Sequence, residues 1–342
     1  MAAVTCLRRG FLCIFPLLLL SCEKDPIFIY PESGKEVDPT IANVKVNCIF
    51  KGGDIPLYKE IAVTKSSQHQ ELPLRTVYEI RRESGEIVER NSTVSTGSSF
   101  SDYTISTSLS PGKYSAYLWQ DFLDEQGHEH YDVSSLSGIT IRSIADYVGC
   151  TETKDALCSI TDIEVPDNGE WGQNVSIEVP MERPVAKISF YSDDCTLFIE
   201  KCLQYLKMYT KADPVLQDIQ DQISLKFSYD GYIVTKYSLL TSEGKNSALG
   251  YGFKGTLVET DDPSTIFIGS DYILLDTEES FVSVKLSVFD PSGELIEKTS
   301  SISIPVKRGH ETIVHGDILT KYWGKGISID PEFGGEFDYI VD

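Results

Sequence analysis

Short runs of alternating apolar and polar residues, cut apart by turn residues, recur along this chain from residue 44 onward and constrain its fold more than any other feature. A strand points successive side chains to opposite faces, so strict alternation offers one face to a core and the other to solvent. Val44, Val46, Cys48 and Phe50 share one face of the first such run. Leu72, Leu74, Tyr78 and Ile80 do so in the second, which ends in the charged turn Arg82-Glu83-Ser84-Gly85-Glu86. Tyr103, Ile105 and Leu109 then lead into Ser110-Pro111-Gly112-Lys113, with Tyr114, Ala116, Leu118 and Phe122 beyond it. Proline presets φ and glycine accepts positive φ, so this spacing predicts a β-hairpin.

Around residues 160–180 the chain turns polar, with Pro166-Asp167-Asn168-Gly169, and a domain boundary is expected there. Further runs follow: Ala186-Ile188-Phe190, Ile223 to Tyr229 before the Asp230-Gly231 turn, and Tyr232 to Leu240. Later come 281–289 and 300–306, joined across Asp290-Pro291-Ser292-Gly293, a segment from about 310, and a terminal Phe337-Tyr339-Val341 alternation. Residues 195–210 break the rule, because Leu197, Phe198, Cys202, Leu203 and Leu206 follow a helical period, with Asp193 or Asp194 placed to cap its start. A second helical turn is expected near 145–158. The pattern predicts an all-β protein of two tandem antiparallel β-sandwich domains, residues 41–165 and 175–342, with one or two short helices.

The N-terminus supplies an address. Arg8 and Arg9 precede the apolar run Phe11 to Leu20, which closes on Ser21-Cys22. The run falls short of the roughly 20 apolar residues that span a bilayer, so residues 1–21 read as a cleaved signal peptide. A small residue before cysteine fits lipoprotein processing, which makes Cys22 the expected lipidation site and residues 22–40 a spacer. Glu23-Lys24-Asp25, just after Cys22, is similar to the acidic tags that many Bacteroidetes surface lipoproteins carry there, a resemblance that implies display on the outer face of the outer membrane.

A net charge of −22 over 342 residues argues against nucleic acid as a partner, since phosphate binding needs a basic surface. Cys48, Cys150, Cys158, Cys195 and Cys202 are spaced neither as zinc knuckles nor as a dense disulfide framework. Cys150 with Cys158 and Cys195 with Cys202 could form local disulfides or stay buried thiols.

Few residues point to chemistry. His128, His130 and Asp132 would share a strand face and could converge on a cation, but flanking Asp124-Glu125-Gln126-Gly127 favours a polar loop, and no metal site is assigned. Tyr117 and Trp119, opposite Tyr114, Ala116 and Leu118, could form an exposed aromatic platform for sugar rings or the second buried face of a strand. No nucleophile elbow, phosphate loop, dinucleotide fingerprint or zinc-protease motif occurs, so no catalytic residue and no cofactor are assigned.

Several segments resemble one family. Ser108 to Asp121, with its Pro111-Gly112, Tyr114 and Trp119-Gln120-Asp121, is similar to a hairpin of fimbrillin-like Bacteroidetes lipoproteins, and Tyr131 to Leu136 follows it as in those proteins. Val179 to Ile188, containing Arg183-Pro184-Val185-Ala186-Lys187, resembles their strand opening, and Ile304 to Thr320 their closing strand pair. These segments together resemble the DUF6562 type, related to Mfa2/FimB-like fimbrial anchor subunits. The resemblance implies two β-sandwich domains, a membrane held through lipid, and fimbrial subunits or a host or glycan ligand as partners. It also implies, for polymerising members, a cut after an arginine, with Arg75, Arg81 and Arg82 as candidates here, and a donor strand, with Phe337, Tyr339 and Val341 as the candidate. A non-enzymatic anchor, accessory or adhesin-like subunit is the reading; a glycan-binding lipoprotein of a polysaccharide-uptake system is the alternative.

Overall fold

The computed structural model describes residues 44–53, 71–166, 174–208, 215–320 and 326–330. The signal segment, Cys22, the spacer, Phe337, Tyr339 and Val341 lie outside the described residues. In chain order the first strands are β1 (Val44–Lys51), β2 (Leu72–Arg82), β3 (Ile87–Gly97), β4 (Tyr103–Leu109) and β5 (Gly112–Phe122). They are followed by β6 (Tyr131–Asp132), β7 (Ile139–Ile141), β8 (Ala156–Val165), β9 (Asn174–Pro180) and β10 (Val185–Ser192). After the helix α1 (Cys195–Tyr205) come β11 (Ser224–Tyr229), β12 (Ile233–Ser238), β13 (Glu243–Ala248), β14 (Gly252–Lys254), β15 (Val258–Glu259) and β16 (Ile266–Leu274). The last are β17 (Glu279–Phe289), β18 (Leu295–Lys298), β19 (Ile302–Lys307), β20 (Glu311–Gly316) and β21 (Gly326–Asp330).

The first sandwich pairs a sheet ordered β4-β1-β9 with one ordered β3-β2-β5-β8. Its core is the alternation read from the sequence: Val44, Val46, Cys48 and Phe50 pack with Leu74, Tyr78, Ile80, Tyr114, Ala116 and Leu118. The expected hairpin at Pro111-Gly112 does not form. β4 pairs with β1, whereas β5 pairs with β2 and β8, so the turn carries the chain from one sheet to the other. Gly112 has φ +148, and the Tyr114 hydroxyl donates to the Ser110 carbonyl at 2.9 Å, pinning the corner. A proline-glycine pair sets local direction and leaves the partner strand to the apolar faces.

The second sandwich sets β15-β16-β10-β20-β21 against β14-β11-β17-β18, with β19 also on β17. Phe190, Phe227 and Phe253 stack through its core at centroid separations of 4.6 and 4.8 Å. β17 meets β18 across the Asp290 to Gly293 turn and then β19, which share one of its edges. The predicted helix is α1, and Cys195, Phe198, Ile199 and Cys202 form its buried face. Asp194 sits at the N-cap, yet its carboxylate accepts from Ser192, and from the Thr320 amide and hydroxyl at 2.8 and 2.6 Å, rather than capping the helix. The second helical turn resolves into two short 3-10 turns, Ile144–Asp146 and Glu152–Lys154, before β8.

The expected break at 165–175 does not separate two sets of strands. β9 lies beyond it yet pairs in parallel with β1, and β7 lies before it yet pairs with β12. β13-β12-β7-β6 is thus a sheet built from both halves of the chain. β8 before the break and β9 beyond it lie in the two sheets of one sandwich.

All five described cysteines are free thiols. Cys195 and Cys202 are two helical turns apart, about 10 Å along the axis and too far for a disulfide. Replacing Tyr114 by Phe removes only the hydroxyl that pins the β4–β5 corner, and is expected to cost about 1 kcal/mol, read as a lower urea midpoint at unchanged slope.

Candidate functional site

β5 is buried on both faces. Leu118 points into the first core, whereas Trp119 is 0% exposed and joins Val77, Tyr131, Cys158, Tyr237, Leu239, Tyr272 and Leu274 in a core shared by both halves of the chain. Tyr131 meets Trp119 edge to face at 5.3 Å. This corrects the aromatic platform: Trp119 presents no exposed ring, and Tyr117 is half-buried against the same core. The face that could have met sugar is covered by the second half of the protein.

A band of buried charge runs beside this core. Arg75 on β2 donates to both Asp121 oxygens, from Nε at 2.9 Å and Nη2 at 2.7 Å, to the Tyr131 carbonyl at 2.8 Å, and pairs with Glu129 at 2.6 Å. Arg81 and Arg90 both pair with the fully buried Glu79. Arg75 and Arg81 are therefore poor positions for a protease, being held on a central strand; Arg82, at the strand end, is more open.

The same band continues across the two halves. Lys154 donates to Asp271 on β16 and, at 3.0 Å, to the Val148 carbonyl, with its ammonium 3.9 Å from the Tyr147 ring centre. Tyr147 and Tyr229 each donate to the other Asp271 oxygen at 2.6 Å. Asp155 accepts from Arg183 at 3.0 Å. Lys187, 0% exposed, lies 3.6 Å from Glu152 and 3.4 Å from Glu311, and Tyr272 donates to Glu152 at 2.8 Å. Burial disfavours charge throughout: it raises the Asp121 and Asp155 carboxyls, lowers the Lys154 ammonium, and brings Glu152 up to about 7.

The three candidate metal ligands part company. His128 is exposed and pairs with Asp124 at 2.9 Å, Asp132 accepts from the Ser134 amide at 2.9 Å, and His130 is buried against the Thr153 hydroxyl at 2.6 Å. Burial, together with nearby Lys154 and Arg142, lowers His130 to about 4. The strand is only Tyr131–Asp132, too short to impose the shared face that the sequence suggested. Burial also raises the cysteine thiols, Cys195 to about 11 and Cys202 to about 12, which keeps them protonated and unreactive near neutrality.

The sequence left Lys154, Asp271, Glu152 and Glu311 unassigned. One signal was readable, namely charge inside otherwise apolar runs, as in Val185-Ala186-Lys187-Ile188 and Ile268-Gly269-Ser270-Asp271-Tyr272-Ile273. Chemically the band is closed, since each acid meets a cation or a phenol of the same chain. It joins the two halves of the protein.

A family model described as "Family of unknown function (DUF6562)" matches residues 42–342. No curated protein matches. Among solved structures, the chain is similar to the fimbrial anchor protein Mfa2 from Porphyromonas gingivalis, at 11% identity over 84% of this chain and 98% of that one, TM-score 0.45. It is also similar to the tip fimbrial protein Mfa3 of that organism, with C-terminal truncation, at 10% identity over 84% and 98%, TM-score 0.39.

Asp271→Ala strands a buried ammonium and two buried phenols, and is expected to cost about 3–5 kcal/mol in urea unfolding, whereas the paired Lys154→Met/Asp271→Leu change, which removes the ammonium and leaves only the phenols without their acceptor, costs less. His130 has a lowered folded value, so between about 4 and 6.5 the unfolded chain binds more protons and stability is lost as pH falls through that window, by roughly 3 kcal/mol. Glu152, raised from 4.5 to about 7, acts oppositely, losing stability as pH rises over its window. In His130→Gln the net slope of urea stability against pH should therefore turn downward between pH 4.5 and 6.5.

Proposed function

The chain belongs to the family of unknown function DUF6562, and from that premise we propose that it is a non-enzymatic surface lipoprotein, held in the outer membrane by lipid on Cys22, that serves as a fimbrial anchor, accessory or adhesion subunit. The supporting observation is how the strands carry load. β1 is the first described strand after the tether, and it runs parallel to β9 from the Lys45–Asn174 pair to the Lys51–Pro180 pair. Tension between a lipid at the N-terminus and a partner farther along the chain pulls β1 and β9 in opposite senses along their shared axis. The evenly spaced bonds of a parallel pair then share the load in shear, where a hairpin would open one bond at a time.

The second sandwich repeats the device. β10, where the chain enters it, runs parallel to β20, near where the chain leaves. Between the two clamps, the charged band and the shared core keep the halves from parting. Such a body suits the transmission of force from membrane to appendage. The candidate donor residues Phe337, Tyr339 and Val341, outside the described residues, belong to this reading as the link to a neighbouring subunit.

Cys22→Ser is expected to lose membrane retention and lipid labelling while keeping the wild-type urea midpoint. Ile177→Pro on β9, a strand register partner of Cys48 on β1, should lower the unfolding force of the full chain pulled from its two termini. Deleting the gene should alter pilus number, length or attachment; unchanged pili and attachment would reject the anchor reading.

A further inference from the structure

The outer face of the second sandwich departs from the acidic character of the whole. On β11, β14, β17 and β18, the cross-strand register places Lys254 opposite Lys226, Lys226 opposite Ser287, and Ser287 opposite Lys298. Residues opposite one another share a face, and this one is turned away from the core, because Phe227, Phe253, Leu286 and Val288 occupy the alternate positions inside. Lys226, Lys254 and Lys298 are exposed, and with strands about 4.8 Å apart they form a row about 15 Å long. Lys285 and Ser228 stand opposite one another in the next row.

Like charges directly opposite on neighbouring strands are destabilising. Among the described residues, neither Lys226 nor Lys254 has an ion-pair partner to offset that cost. Asp230, a carboxylate on the same face, is held by Lys285 at 2.5 Å, and Lys298 also acts on it. In a chain of net charge −22, four lysines on one strand face are a concentration of the minority charge.

From this placement we propose that the lysine face of β14-β11-β17-β18 binds an acidic polysaccharide whose carboxylates are spaced along the chain. The face is polar at its centre, where the half-buried Ser228 and the buried Ser287 lie between the lysines and leave the ammonium groups as its exposed polar groups. A protein partner would call for an apolar centre, and the exposed apolar side chains Phe281 and Leu295 stand at its margins. A densely charged polymer such as a nucleic acid would meet the repelling field of the rest of the protein beyond about 8 Å, one Debye length at physiological salt. A sparsely charged glycan gains the lysine contacts and meets less of that repulsion. The inference rests on the surface-display reading only for access to such a glycan, since binding by the purified chain does not depend on lipid at Cys22.

The test uses the full chain in neutral detergent over immobilised hyaluronan, polygalacturonate and neutral dextran, and with vesicles of phosphatidylcholine containing phosphatidylglycerol. Retention is expected on at least one acidic glycan and not on dextran, weakening as salt rises from about 50 to about 200 mM. Lys226→Glu/Lys254→Glu should weaken it about tenfold or more, whereas Lys45→Glu/Lys113→Glu, with the same change of charge elsewhere on the surface, should leave it unchanged. Urea midpoints of both variants confirm folding. Absence of retention on both acidic glycans, equal loss in the two variants, or stronger capture by the anionic vesicles would overturn the proposal. Failure of membrane retention through Cys22 would instead count against the anchor reading alone.

Discussion

Everything in this protein depends on burying both faces of β5. A strand in the outer layer of a sandwich needs only one apolar face, but Leu118 and Trp119 are each completely buried, in different cores. The sheet β3-β2-β5-β8 is therefore a middle layer, with β4-β1-β9 on one side and strands from the second half of the chain on the other. A Trp indole buries enough area to make that second contact obligatory, since leaving it in water would forfeit about 2–3 kcal/mol of transfer energy.

The charged band gives that contact its specificity. Buried ion pairs contribute little net stability compared with apolar groups of the same shape, because desolvation offsets most of the attraction. What they impose is a steep penalty for misalignment. Asp271 must meet Lys154, Tyr147 and Tyr229 together, and Lys187 must lie between Glu152 and Glu311. Sliding the halves by one residue would strand several charges at once, whereas an apolar interface could slip and repack. The apolar core holds the halves together, and the charges fix a single register between them.

Local structure was legible from the sequence wherever one element decides its own fate. The buried faces of β1 and β2 follow from periodicity alone, because burial acts on side chains that the backbone geometry has already sorted; the helical period likewise placed α1 and its buried Phe198 and Cys202, although Leu197 is exposed and Ile199 and Cys195 complete the buried face. Pairing was less legible. Pro111-Gly112 is chemically the same turn whether the next strand returns to β4 or crosses to β2, and the choice lies with residues far off in sequence. The polar stretch near residue 170 says as little about pairing, since Val175, Ile177 and Val179 of β9, beyond it, complete the first sandwich. The charged band left a trace that could be read: Lys187 and Asp271 sit within otherwise apolar strand segments. Their partners could not be read, because opposite charges find one another only once the sheets are stacked.

The division of charge between interior and surface then bears on function. Most cations that this acidic chain sends inward are paired there with carboxylates. Those left outside are mostly scattered or paired, as Lys51 is with Asp102 and Lys245 with Glu243. Against that pattern, setting Lys226 directly opposite Lys254 costs stability and returns nothing to the fold, because neither side chain packs into the core that the same strands enclose. A strand position on the solvent face tolerates almost any polar residue, so the fold alone does not call for lysine there. The interior charges are explained by registration and the rim charges by solubility; the lysine row is explained by neither, and its geometry is that of a surface facing outward to something negatively charged.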